Sequence, residues 1–323
     1  MPGHGRALAT PDHRHPPGLA HGRSRWIGTG ATRPPAAARG RIDGGLGMTE
    51  NILHFGHGGR LTGTLTLPPA SAPAKSTAVL LLNAGVIHRM GPHRINVKLA
   101  RHLAAQGFTV LRLDLSGQGD SLSADTPQSF EQQAVTDLQA AMDHLQRITS
   151  VQRFALAGIC SGAHHGVATA LKDDRLSALW LMDTHTYPTP RTYWVRSMRQ
   201  LQQAPIATLR RWGKRLLGKV AARPDGQRAA AVDDNPYGTP SKTEFAADIQ
   251  SLIGKRVRLQ IVYSGGVFWS HNYAAQWRDT FRAHGEVARV PNELLPDVDH
   301  TASTLDAQRK LVASVSRFAS QFD

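Results

Sequence analysis

Apolar and polar residues alternate loosely from position 51 to 67 around the "GHGG" at 56–59, the period-two pattern of two half-buried strands joined by a glycine turn. An antiparallel hairpin is therefore expected to open the fold. The pattern then changes. Residues 78–82 are apolar without alternation, as a strand buried on both faces must be. Helical spacing follows over 94–106 and stops at Gly107, a residue suited to the left-handed conformation that ends helices. The "FTVLRLDL" of 108–115 reads as a strand, and 131–147 as a helix with Ala134, Leu138, Ala141, Met142 and Leu145 on one face. The same reading predicts a strand at 154–158, a helix at 162–172 and a strand at 176–182. Beyond a long interruption it predicts a strand at 257–263, a helix at 272–284, a strand at 287–290 and a last helix at 302–322. Buried strands alternating with helices call for a mostly parallel sheet covered on both faces.

The interruption, 184–255, is too long for a connecting loop and has its own helical spacing at Trp194, Met198, Leu201, Leu209, Trp212, Leu216 and Leu217. It is predicted to be a helical lid inserted after the sixth strand, dividing the core into 48–183 and 256–323. Residues 1–47 show no periodicity and are rich in Gly, Pro, Ala and His, so they are expected to be a disordered extension. They lack the apolar segment of a secretory signal, and their Gly and Pro oppose the amphipathic helix of a transit peptide. Met48 opens the strand pattern and is a candidate natural start.

Composition narrows the class. The 323 residues, 41% of them hydrophobic, suffice for one large α/β core. The longest apolar run, 77–87, falls short of the roughly 20 residues that cross a bilayer, so no transmembrane segment is expected. A single cysteine precludes an internal disulfide and suits a reducing cytoplasm, which is the expected location. The formal charge is +14, unevenly spread: residues 1–47 hold seven Arg against two Asp, and residues 191–223 hold nine basic residues and no acid. The second cluster is either a solvated helix face or a dock for something anionic, such as an acidic carrier protein, its phosphopantetheine arm or an anionic surface. No nucleic-acid-binding motif accompanies the charge, and no histidine pair has metal-ligand company, so neither nucleic acid nor a metal is expected.

The chemistry concentrates in "GICSG", 158–162. This is the spacing of a nucleophile elbow, a sharp strand-to-helix turn with the nucleophile at its centre. Such a turn leaves no room for side chains two residues before and two after the nucleophile. Centring on Cys160 puts Gly158 and Gly162 there, whereas centring on Ser161 would put Ile159 and Ala163. Cys160 is thus the expected nucleophile, with an inert buried cysteine as the bland alternative. Its base is expected on the loop after the final strand, where "PDVDHTAST" supplies His300. His164 and His165, on the first turn of the helix leaving the elbow, should point away from the thiol. The turn after the penultimate strand, "YSGGVFWSHN", contains no carboxylate, which leaves Asp183, at the end of "LWLMD", as the expected acid. A capping role is the alternative for it. Asp297 and Asp299 flank His300 too closely to face it easily. The oxyanion donors expected are the backbone N–H groups of Ser161 and of Gly85 in "LLLNAG", with Val86, one step on, as the alternative to Gly85.

Taken together, "LLLNAG", "DLSGQGDS" at 114–121, "GICSG" and "DHT" resemble the α/β-hydrolase superfamily over about 51–322. The cysteine elbow is similar to those of dienelactone hydrolases and polyhydroxyalkanoate synthases. "NAGVIHRMGPHR" with "GICSGA" also resembles hydrolases associated with bacterial exosortase systems. The resemblance implies an α/β-hydrolase fold and acyl transfer without a cofactor. The expected substrate is an ester or thioester, free or carrier-bound, cleaved through a Cys160–His300–Asp183 acyl-enzyme mechanism. The alternatives are an acyltransferase using the same intermediate and a non-catalytic binding protein.

Overall fold

The computed structural model describes residues 42–44, 48–82, 84–210, 213 and 239–322. They form a nine-stranded sheet with helices on both faces. Its strands are β1 (Ile42–Gly44), β2 (Met48–Phe55), β3 (Leu61–Leu67), β4 (Thr77–Leu82), β5 (Thr109–Leu113), β6 (Arg153–Ile159), β7 (Leu176–Met182), β8 (Arg258–Ser264) and β9 (Asn292–Leu295). The spatial order is β1-β2-β3-β5-β4-β6-β7-β8-β9. β1 to β3 are antiparallel, and from β5 onward every pairing is parallel. Helices α1 (Ile95–Ala105), α2 (Phe130–Ile148), α3 (Ser161–Lys172), α4 (Pro190–Gln203), α5 (Lys242–Gly254), α6 (Gln276–Phe281) and α7 (Leu305–Ala319) complete the frame. Among the described residues no helix is long and apolar enough to cross a membrane.

Alternation along the central strands divides the core in two. Leu80 and Leu82 of β4, Leu156 of β6 and Leu179 and Leu181 of β7 face α2, α3 and α5. Val79, Leu81, Ala157, Ile159, Trp180 and Met182 face α1 and α7. Each side chain wholly buried this way contributes ~1.5–3 kcal/mol. The four central strands, buried on both sides, hold the frame rigid, and their carboxyl ends all open on the same edge.

Three elements differ from expectation. Residues 42–44 pair with β2, although they fall in the segment expected to be disordered; the rest of 1–47, apart from 42–44, lies outside the described residues. The last strand is β9, not 287–290: Val287–Arg289 is a 3₁₀ turn that buries Val287 and Val290 in the core, and Pro291 separates it from the strand. Proline lacks the N–H a ladder needs, so pairing with β8 starts only at Asn292. Finally, α5 lies inside the span predicted as lid yet buries Phe245, Ala246, Ile249 and Leu252 in the core as a crossover helix. The remaining lid prediction reduces to α4, the helical residues 205–210 and residues outside the described set.

Candidate active site

Elements that end on one edge bring their loops together. The backbone N–H of Cys160 donates to the Met182 carbonyl at 2.8 Å, and that of Asp183 to the Val262 carbonyl at 2.8 Å, so each residue continues its ladder one step past the strand. Both then turn abruptly: Cys160 has φ 54° and ψ −116°, and Asp183 has φ 52°. Left-handed non-glycine residues are strained and persist only where their surroundings hold them. At the elbow the backbone closes so tightly that a Cβ on Gly158 would lie 2.5 Å from the Gly162 carbonyl carbon. That is the steric requirement that placed Cys160 rather than Ser161 at the centre.

His300, on the loop after β9, lies between the two. Its Nδ1 is 2.7 Å from Asp183 Oδ2, and the Cys160 thiol lies near enough to the ring to raise its proton affinity. Asp183 is buried and accepts two more hydrogen bonds, from the Ser264 N–H at 2.7 Å and the Ser264 hydroxyl at 2.6 Å. The hydrogen bond to Asp183 and the neighbouring Cys160 sulfur outweigh the cost of burial and raise the imidazole's pKa to about 10. Around this line the turn after β8 must come close. A Cβ on Gly266 would meet the His300 N at 2.8 Å and Cβ at 2.9 Å. The absence of a carboxylate in that turn has a spatial counterpart, since the turn is pressed against His300 while Asp183 reaches it from β7.

The remaining candidates sort clearly. His164 stacks on His185 with centroids 3.8 Å apart, and His165 packs edge-on against Phe130. Burial lowers His164 to about 3, with help from His185, and His165 to about 4, with help from His164, so both are neutral. Asp299 accepts from Thr301 and Ser303, and Asp297 pairs with Lys310; neither touches the ring. Ser161 and Gly85 do come together, in a way that was not anticipated. The Gly85 N–H donates to the Ser161 hydroxyl at 2.6 Å, so the Ser161 side chain reaches the loop after β4. The oxyanion loop is braced from the other side. Arg89, buried, donates through its Nη1 to Asp114 at 2.5 Å and Asp120 at 2.7 Å, while its backbone N–H donates to Asp114.

His88, Asp114 and Asp120 have ligand atoms within 4.8 Å of one another, the spacing of a metal site. The Arg89 guanidinium already supplies the positive charge those carboxylates need, and the cluster reads as the brace of two loops. Sequence reasoning missed Ser264, Arg89 and the Ser161 hydroxyl. Only Arg89 left a trace, as part of the "NAGVIHRMGPHR" run; its partners in the "DLSGQGDS" turn are 25 or more residues further along the chain.

A family model described as the alpha/beta hydrolase fold matches residues 78–285. Among solved structures, an esterase from Pyrococcus furiosus aligns at a TM-score of 0.50 and 12% identity over 85% of this chain and 91% of that one. A thermophilic esterase from Thermogutta terrifontis aligns at 0.49 and 18% over 84% and 98%. An epoxide hydrolase from Vigna radiata aligns at 0.49 and 15% over 85% and 99%. No curated protein matches the chain.

Proposed function

The chain belongs to the α/β-hydrolase fold family, and on that premise we propose that it hydrolyses esters or thioesters through a Cys160 acyl-enzyme. The observation supporting this reading is the 2.7 Å hydrogen bond between His300 and buried Asp183, with the thiol that raises the ring's pKa, Cys160, at the centre of a strained elbow. With its proton affinity raised, the His300 imidazole takes the thiol proton. The Cys160 position at the start of α3 favours the resulting negative charge.

The thiolate attacks the acyl carbon: a C–S bond forms and the carbonyl π pair moves to oxygen. That oxyanion is received by the Ser161 and Gly85 N–H groups, the latter exchanging the Ser161 hydroxyl for the substrate oxygen. When the pair returns, the bond to the alcohol or thiol leaving group breaks and His300 gives that group its proton. Water then loses a proton to His300 as its oxygen attacks the thioester, the C–S bond breaks with its pair going to sulfur, His300 returns the proton to Cys160, and the acid leaves. Asp183, which accepts from His300 and from Ser264, holds the ring in the tautomer this sequence requires. Amides are poorer substrates because their nitrogen needs protonation before it can leave.

Intact-mass measurement after incubation with a panel of activated acyl esters tests the reading. The expected result is a single acyl mass on the wild type and none on Cys160→Ala. A protein in which Cys160→Ala still turns over while Ser161→Ala is dead would overturn it.

A further inference from the structure

The turn after β8 serves two neighbours. Ser264 and Gly266 contact Asp183 and His300, and Gly265 between them lines a recess of about 240 Å³. Its other walls are Arg196, Arg199, Gln200 and Gln203 of α4, with Phe268 and Trp269. The recess thus lies one residue along the chain from the contact with the candidate base. Two guanidiniums line it, and among the described residues no carboxylate does.

Aromatic rings position both cations. Arg196 lies 5.4 Å over Trp269 and 5.2 Å over Tyr193, and Arg199 lies 4.1 Å over Phe268. Stacking holds a guanidinium by its face and leaves its in-plane N–H donors unspent. The Arg196 Nε is buried and has no hydrogen-bond partner, an arrangement that costs free energy unless something else accepts from it. A carboxylate or phosphate, with paired oxygens in one plane, is the acceptor a guanidinium fork fits best.

The geometry points to an anion-binding subsite in which Arg196 and Arg199 receive a carboxylate or phosphate borne by the acyl substrate. The assignment rests on the acyl-enzyme reading for its place in catalysis. Two sources of the anion differ in where they sit on the substrate: a carboxylate ending the acyl chain, or a phosphate in the leaving group, as in a phosphopantetheine arm.

Two matched substrate pairs distinguish the sources: 4-nitrophenyl butyrate with 4-nitrophenyl hemiglutarate, and butyryl-pantetheine with butyryl-4′-phosphopantetheine. One charged member should exceed its neutral partner by about tenfold or more in kcat/KM. Arg196→Gln/Arg199→Gln should close that gap and leave the neutral esters unchanged, while Arg309→Gln, on the exposed face of α7, keeps it. In the wild type the gap should shrink as NaCl rises, because salt screens the pairing; this arm needs no variant to fold. A preference that is absent, salt-insensitive or retained in the double variant overturns the subsite. Calorimetric titration of Cys160→Ala with 4′-phosphopantetheine and with glutarate monomethyl ester separates the two claims. Binding that disappears in the added Arg196→Gln/Arg199→Gln background supports the subsite even if no ester acylates Cys160, and no binding of either counts against it.

Discussion

One histidine of the site and a stacked pair of histidines, one of them on α3, end in opposite states. His300 is half-buried, touches Asp183 and Cys160, and is raised to about 10. His164 and His185 are stacked on each other, meet no carboxylate at hydrogen-bond distance, and are lowered to about 3 and about 4, mainly by burial. Burial alone drives the proton off an imidazole, because the charged form loses its water; a buried carboxylate at 2.7 Å reverses the sign. Proximity in sequence is no guide, since His164 is four residues from Cys160 yet stacks on His185 with both ring nitrogens unpartnered.

The comparison breaks most visibly if the wrong residues prove essential. Cys160→Ala and His300→Ala are each expected to lower kcat by at least about ten-thousandfold, measured on an activated ester with circular dichroism confirming the fold. Asp183→Asn should follow, with a loss of roughly ten- to a thousandfold. That is milder than in a serine enzyme, because a thiol surrenders its proton more readily. The same substitution should bring the His300 pKa down toward its ordinary value, read by imidazole proton resonances. An unchanged pKa would mean that Asp183 does not set the contrast.

A third effect concerns stability against pH. The folded His300 pKa lies above its unfolded value, so the stabilisation is full below about pH 6.5, declines as pH rises and is gone above about 10. The difference in Tm between wild type and Asp183→Asn is therefore expected to shrink steadily over that interval, and a difference that grows would refute the assignment. The smallest effects belong to the other side. His164→Asn and Asp299→Asn should each leave kcat within about threefold of wild type. A large fall in either would erase the distinction between the histidine groups or move the acid to the His300 loop.

Much of this was legible because it is local. The hairpin, the apolar strands 78–82 and 154–158, the helix over 131–147 and the elbow glycines are set by contacts within a few residues, which periodicity and steric crowding record. The final strand was misplaced for a comparable reason. Val287 and Val290 carry the apolar pattern, but they fill the core from a turn, and Pro291 moves the ladder on to "NELL". α5 was read as lid because its span in the chain says nothing of which surface its Phe245 and Ile249 cover.

The sequence by itself determined the alternation that calls for a parallel sheet, the register of the elbow with Cys160 at its centre, and the candidates His300, Asp183, Gly85 and Ser161. These follow from backbone geometry and side-chain size at fixed spacing. Only the tertiary structure decided that Asp183 meets His300, that Ser264 holds Asp183, that the Ser161 hydroxyl sits on the Gly85 amide and that Arg196 and Arg199 share a recess beside Gly265. Each of those is a contact between segments far apart in the chain. Its distance depends on how the sheet twists and how the loops pack at its edge, and no periodicity along the chain records either.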